Sequence, residues 1–195
     1  MPNYRVAPPL TPRQVEDIAQ NARLAIGLEP EQRVPIASVL ENVLPTLIDG
    51  YEFRVEEARS MGKAEAITHG YRPIITFNAS SYASLLRDNP RARMTAAHEL
   101  GHLLMHTDKT GFAFLRKRDA RLDPERQADI FAAAFLMPAS EFQKVTSIKA
   151  AMEKFGVSKD AALCRARKLR LWHLLSGYRD KNRSKKKGHG MHRTP

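Results

Sequence analysis

The 195-residue sequence has one cysteine, no long apolar run and no acidic excess, and each shortage excludes something. Cys164 alone cannot build an intramolecular disulfide framework or a Cys-rich zinc knuckle. The longest apolar run, residues 130–139, falls far short of the ~20 residues that a membrane-spanning helix needs. Residues 1–20 contain Pro8-Pro9 and no apolar h-region, so the expectation is a protein without a secretory leader, cytoplasmic and with no membrane partner. What is present suits a packed domain. With 43% hydrophobic and 27% charged residues, the chain can bury a core.

The charge is placed unevenly. Of the formal +11, residues 165–195 carry +10, from eleven Lys/Arg against Asp180, while residues 1–164 are close to neutral. The expected organisation is one domain over residues 1–176 and a basic, disordered tail over 177–195. Such an end is either a solvated tail or a patch for polyanions. The expectation is weak, salt-sensitive, non-specific contact with nucleic acid.

Helical and extended patterns alternate along the chain. Thr11-Pro12-Arg13-Gln14 is a helix start, with a capping hydroxyl, a first-turn proline and Gln at the capping-box position. Val15, Ile18, Ala19, Ala22 and Ile26 follow at helical spacing, with Gly27 as the stop. Ile36, Val39, Leu40, Val43 and Leu44 mark a second helix, which Pro45 is expected to end. Residues 51–55 alternate with period two, 64–68 form a short possible strand, and 74–77 are β-rich, which together predict a small three-stranded sheet. Beyond Asn78, helices are expected from Asn89-Pro90 to about His106, from Asp123-Pro124 to about Met137, and over residues 147–155 and 158–175. The connection over 107–122 has a length that often carries function.

His98-Glu99-Leu100-Gly101-His102 is an H-E-x-x-H motif on a predicted helix. Positions four apart share a helix face, so two neutral imidazoles can grip one zinc ion while Glu99 projects toward a bound water. Composition alone, with seven His and twelve Glu in the chain, gives about 0.015 chance matches. A third ligand is required. His106 lies on the wrong arc of a regular helix to join both other histidines, being roughly 12 Å along the axis from His98. The longer pattern H-E-x-x-H-x-x-G-x-x-H fails, since Met105 and Asp108 stand where Gly and His are needed. The better candidate is on the next helix. Glu125 and Asp129 lie four apart, and Glu125 follows His102 by 23 residues. Glu125 is the candidate ligand and Asp129 the carboxylate that orients a ligating histidine by accepting its other N–H. A solvent-facing pair of helix charges is the competing explanation of that spacing.

Two segments then resemble one family. Met94 to His106 (MTAAHELGHLLMH) is similar to the metallopeptidase motif of the ImmA/IrrE family. Glu125 to Pro138 (ERQADIFAAAFLMP) resembles that family's E-x-x-A-[ND]-x-F-A-A-x-L-L-M-P signature, and Ile74-Ile75-Thr76-Phe77-Asn78 resembles the strand before its active-site helix. The likeness spans about residues 11–175, with Phe135 where Leu is usual. It implies an α+β, minimal zincin-like metallopeptidase fold and a zinc endopeptidase of the gluzincin type, with one Zn2+ per chain. His98, His102 and Glu125 carry over as metal ligands and Glu99 as the catalytic residue. The resemblance also implies a protein substrate: a helix-turn-helix (XRE-type) repressor or antitoxin, cleaved to release genes of a mobile-element, stress or toxin–antitoxin system. The sequence leaves no length for the C-terminal sensor domain of the radiation-response members, so no sensing role is expected.

The rival focus is the C-terminal helix pair. Residues 148–162 read helix–Gly156–Val157–Ser158–helix, like a helix-turn-helix, with an Arg-rich second helix. A DNA-binding or partner-binding regulator with an inactive or structural metal site is therefore the alternative. Cys164 has no dedicated base beside it and reads as a core residue. Tyr71, Tyr82 and His173 are candidates for stabilising an oxyanion.

Overall fold

The computed structural model describes residues 10–107 and 123–175. The first helix, α1 (Pro12–Ala25), starts with a reciprocal cap: the Gln14 amide N–H donates to the Thr11 hydroxyl and the Thr11 N–H to Gln14 Oε1. Leu28 N–H closes back onto the Arg23 carbonyl beyond Gly27, whose φ of +72° suits a glycine.

The second helix corrects one expectation. Pro45 does not end it. The chain runs through α2 (Ile36–Ser38), a π-helical turn (Val39–Val43) and α3 (Leu44–Leu47). A proline ring in an α-helix collides with the carbonyl four residues back. Here Leu44 N–H bonds to Val39 O, five residues back, so the widened turn lets the helix pass Pro45 for one more turn.

The sheet forms as the alternation predicts. Strands β1 (Glu52–Glu56), β2 (Ala66–Thr68) and β3 (Ile74–Asn78) lie in the order β1-β3-β2. Central β3 is buried at every position, in keeping with its unbroken β-rich run. It pairs parallel with β1, Phe53 opposite Ile75, and antiparallel with β2, Ile67 opposite Thr76. A short helix, α4 (Ala58–Met61), lies between β1 and β2, where the sequence reading has none.

Asn78 ends β3 and caps α5 (Ala79–Leu86), its side chain accepting from Ser81 N–H. Asn89 caps α6 (Pro90–His106), which runs unbroken through Met105. Asp123 caps α7 (Pro124–Leu136). Helix α7 is the axis of the fold, packed against both α6 and α1. Its contact with α6 is close because Gly101 has no side chain: a Cβ there would meet the Phe131 ring and Cβ at 3.0–3.2 Å. Phe131 stacks on Phe135 at 5.4 Å, and both are fully buried.

After Pro138 come a turn, α8 (Ala139–Phe142), then α9 (Ile148–Phe155) and α10 (Lys159–Lys168). Gly156, in the left-handed region at φ +64°, separates the last two. The final helix is shorter than its pattern implies. It ends near Leu169, Arg170 turns left-handed at φ +59°, and a 3-10 turn follows (Trp172–Leu175). The reason is tertiary: the chain doubles back so that Leu174 joins the core. Cys164 is exposed rather than in the core, pointing off the outer face of α10.

Three buried arginines tie these pieces together. Arg93 on α6, 3% exposed, donates to the carbonyls of Val34, Phe155 and Gly156 and to Asp88. Arg23 donates to the carbonyls of Glu29, Pro30, Gln32 and Phe135. Arg165 donates to Met137 O and pairs with Glu16. Among the described residues, no helix is long and apolar enough to cross a membrane. The expected tail over 177–195 lies outside the described residues.

Candidate metal centre

His98 and His102 sit one turn apart on α6, their ring centroids 4.7 Å apart. Their Nε2 atoms face each other at 3.0 Å. Glu125, in the first turn of α7, reaches across: its Oε2 is 3.3 Å from His98 Nε2 and its Oε1 3.5 Å from His102 Nε2. A carboxylate in that turn is favoured by the helix dipole. The ligand atoms of all three residues lie within 4.8 Å of one another.

This spacing can be tested against metal geometry. Tetrahedral zinc with bonds of 2.0–2.1 Å separates its ligand atoms by roughly 3.3 Å. The two Nε2 atoms, at 3.0 Å, and His98 Nε2 with Glu125 Oε2, at 3.3 Å, lie near that separation, while His102 Nε2 is 3.5 Å from the other Glu125 oxygen, so the carboxylate straddles the pair. The donor set agrees as well. His98 Nδ1 lies 3.0 Å from Asp129 Oδ1, and a carboxylate there can only accept, so the neutral ring has its proton on Nδ1 and a lone pair on Nε2. Two nitrogens and a carboxylate that converge in this way suit a cation.

Electrostatics divide the two histidines. Burial opposes protonation of His98, but the Asp129 hydrogen bond and the charges of Glu99, Asp129 and Glu125 outweigh it and raise its pKa. Burial, reinforced by the His98 and His106 rings, lowers His102 to about 3, so that ring is neutral at any working pH. Asp129 is lowered, chiefly by its bond to His98.

Glu99, next to His98 on α6, turns toward the sheet and is only 8% exposed. The Thr68 hydroxyl at the end of β2 lies 2.7 Å from Glu99 Oε2 and 2.9 Å from Glu99 O, with one hydrogen to share between them. Burial pushes the Glu99 carboxyl up, against the lowering effects of Thr68 and His98. A groove of about 340 Å³ opens beside it, lined by Glu65, Arg91, Thr95, His98, Glu99 and Asp129.

The structure therefore brings together His98, His102, Glu125 and Asp129, with Glu99 adjoining. His106 is placed behind His102, its Nδ1 3.0 Å from His102 Nδ1 and its Nε2 3.0 Å from Gln127 Oε1. Asp108 lies outside the described residues. Of the oxyanion candidates, Tyr82 donates its hydroxyl to Glu41 and packs on Phe53, Tyr71 is 60% exposed after β2, and His173 lies in the final 3-10 turn. Two residues at the site escape sequence reasoning, Thr68 and Gln127. The only signals for them are a hydroxyl at the end of a short strand and an amide at the edge of an apolar run.

A helix bearing two histidines and a facing helix bearing a carboxylate define a metallopeptidase-like site on a mixed α+β frame. The profile of the IrrE N-terminal-like domain family, a peptidase family, matches residues 61–167, and the chain belongs to that family. The match covers β2, β3, both site helices and all but the end of α10. No curated protein matches the chain.

Proposed function

We propose that this protein is a zinc-dependent endopeptidase with a minimal zincin-like fold. The convergence of His98 Nε2, His102 Nε2 and the Glu125 carboxylate, with one ligand atom of each within 4.8 Å of the others, carries the reading. These three residues would hold one Zn2+ per chain, and Asp129 would orient His98. A metal held there supplies Lewis acidity, lowering the pKa of a water in the open position and polarising the scissile carbonyl.

The chain's own residues do the rest. Glu99, buried and raised in pKa, accepts the proton of the attacking water and delivers it to the leaving amine. Thr68 fixes the carboxylate that must do so. Among the described residues, β2 pairs only with β3, so its other edge is free beside the groove. An extended peptide can lie along such an edge, through main-chain hydrogen bonds.

The resemblance of residues 94–106 and 125–138 to ImmA/IrrE motifs supports a helix-turn-helix repressor or antitoxin as the substrate. A basic tail over 177–195 would add weak, salt-sensitive attraction to DNA-bound partners. The alternative, a DNA-binding regulator using α9 and α10, has less support. Arg165, one of the two arginines of α10, is 1% exposed and held by Glu16 and Met137, which leaves Lys159, Arg167 and Lys168 as the exposed basic groups of that helix. Ile148, Ala151 and Phe155 of α9 are likewise core residues.

The deciding experiment is metal analysis and repressor cleavage by the wild type and the Glu99→Gln variant. The variant should keep about one zinc per chain and lose cleavage. Undiminished cleavage by Glu99→Gln would defeat the mechanism. Sequence-specific operator binding that is indifferent to zinc would favour the regulator.

A further inference from the structure

The turn that follows α10 combines two features that neither the fold nor the peptidase reading uses. Leu171 N–H bonds to Ala166 O at 2.9 Å and Arg170 N–H to Arg167 O at 3.1 Å, a Schellman closure with Arg170 in its left-handed position. Glycine is favoured at such a position, because a Cβ there is strained against the backbone. Asp88 is the other non-glycine residue at positive φ among the described residues, and its carboxylate is held by Arg93 and Arg33. Arg170 has no comparable anchor. Its side chain is exposed and has no partner among the described residues.

Trp172 lies two residues further on. It is 62% exposed, the most exposed of the described large apolar side chains, whereas Leu171 packs on the core and Leu174 lies within it. Arg167 and Lys168, at the end of α10, are exposed as well, and residues 161–175 contain no acid. A bare indole thus follows directly on three exposed cations.

Each class of anionic partner would use this surface differently. An acidic protein segment would engage the cations and leave the indole idle. So would duplex DNA, whose bases are stacked inside the helix. An anionic membrane would take up Trp172, but a membrane-binding face presents several apolar side chains, and here the nearby leucines are turned inward. A single strand offers phosphates to the cations and an unstacked base to the face of the indole.

We propose that the turn after α10 is a sequence-tolerant contact for single-stranded nucleic acid, with a base stacked on Trp172 and the backbone held by Arg167, Lys168 and Arg170. The contact goes beyond the peptidase reading and requires neither zinc nor Glu99. It also differs from the operator reading of a regulator, since every base has a face to stack.

Trp172 is the only tryptophan of the chain, so the intrinsic fluorescence of the full-length protein reports on this residue alone. Oligo(dT) of about twenty nucleotides, several times the span of one such contact, should quench it. Inorganic polyphosphate, which has the charge without the bases, should not. Anisotropy of the labelled oligonucleotide then gives affinities. The single strand should bind about fivefold or more tighter than the dT·dA duplex at equal salt, although charge alone favours the duplex. Trp172→Ala should weaken single-strand binding roughly 5–100-fold, and Trp172→Phe should recover most of that loss. Arg170→Gly removes a cation and relieves the turn. It should weaken binding and lower the salt slope by about 0.7, with a melting temperature unchanged or higher. Fluorescence unmoved by saturating oligo(dT), equal affinity for the two forms, or Trp172→Ala binding within about twofold of wild type would each overturn the proposal. So would an Arg170→Gly protein that melts lower and binds as before, which would make the turn purely architectural. Binding to phosphatidylserine vesicles with a blue shift, and no preference for single strands, would overturn it in favour of a membrane surface.

Discussion

The two ends of α7 hold their polar groups in opposite ways. At the C-terminal end, buried guanidinium groups meet carbonyls that the helix leaves unpaired: Arg23 donates to Phe135 O and Arg165 to Met137 O. Opposite partners meet there, and only Arg23 Nε is left without one among the described residues. At the N-terminal end, Glu125 and the two Nε2 atoms converge, and the carboxylate and the His98 Nε2 that Asp129 leaves bare are both acceptors. Acceptors at 3.3 Å repel unless a proton or cation comes between them. A cluster of donors on carbonyls is architecture. One that lacks its counter-charge marks a place for something from outside.

That contrast can be broken or sharpened by mutation. The largest expected effect is on metal: Glu125→Ala should all but abolish zinc binding while melting close to the wild type, because its side chain is 72% exposed. A comparable loss of stability would mean that Glu125 belongs to the architecture after all. The reverse pattern is expected where the arginines sit. Arg165→Ala strands Glu16 and Met137 O, and Arg93→Ala strands three carbonyls, so each should cost ~3 kcal/mol or more in denaturant melts. Neither should change zinc stoichiometry in the fraction that remains folded.

Gly101→Ala tests the contact that joins the two helices. The added methyl meets Phe131 at 3.0–3.2 Å, which should cost about 1–3 kcal/mol. Because it pushes Glu125 away from the histidines, it should also weaken zinc binding, unlike the arginine variants.

Glu141 gives a smaller effect with a definite sign. This buried carboxylate is held by Lys144 and Lys154, and those bonds lower its pKa. A group lowered on folding stabilises the protein above its unfolded value of about 4.3 and loses that contribution as pH falls through the folded value. Glu141→Gln should therefore be less stable than wild type at pH 7, with the gap narrowing in melts taken below pH 4.3 or so.

The smallest effect is expected at Tyr51. Its buried hydroxyl has no hydrogen-bond partner among the described residues. Tyr51→Phe removes an unpaired polar atom, so stability should be unchanged or slightly raised in thermal melts. A clear loss would reveal a partner such as buried water.

Much of this was readable from local chemistry. Thr11, Asn89, Asp123, Ser147 and Ser158 cap helices where a hydroxyl, amide or carboxylate precedes an apolar pattern. A cap depends on neighbours three residues away, so the sequence contains it whole. The same holds for His98 and His102, whose shared face follows from 3.6 residues per turn. Pro45 and the end of α10 depart from the sequence pattern for the opposite reason. Whether a helix opens a π turn to pass a proline, or stops so that Leu174 can reach the core, depends on what it packs against. The exposure of Cys164 is likewise a matter of which face α10 turns to the core.

The sequence by itself determined the capped helices, the strand-forming runs and the pairing of His98 with His102, because each rests on the periodicity of one element. Only the tertiary structure decided how close α6 and α7 come, through the missing side chain of Gly101. From that follow the reach of Glu125 to the two Nε2 atoms, the Asp129 bond to His98, the Thr68 bond to Glu99, and the buried line from His102 to Gln127. Hydrogen bonds and metal ligation act over a few ångströms, and separations of that size between distant residues are fixed by packing.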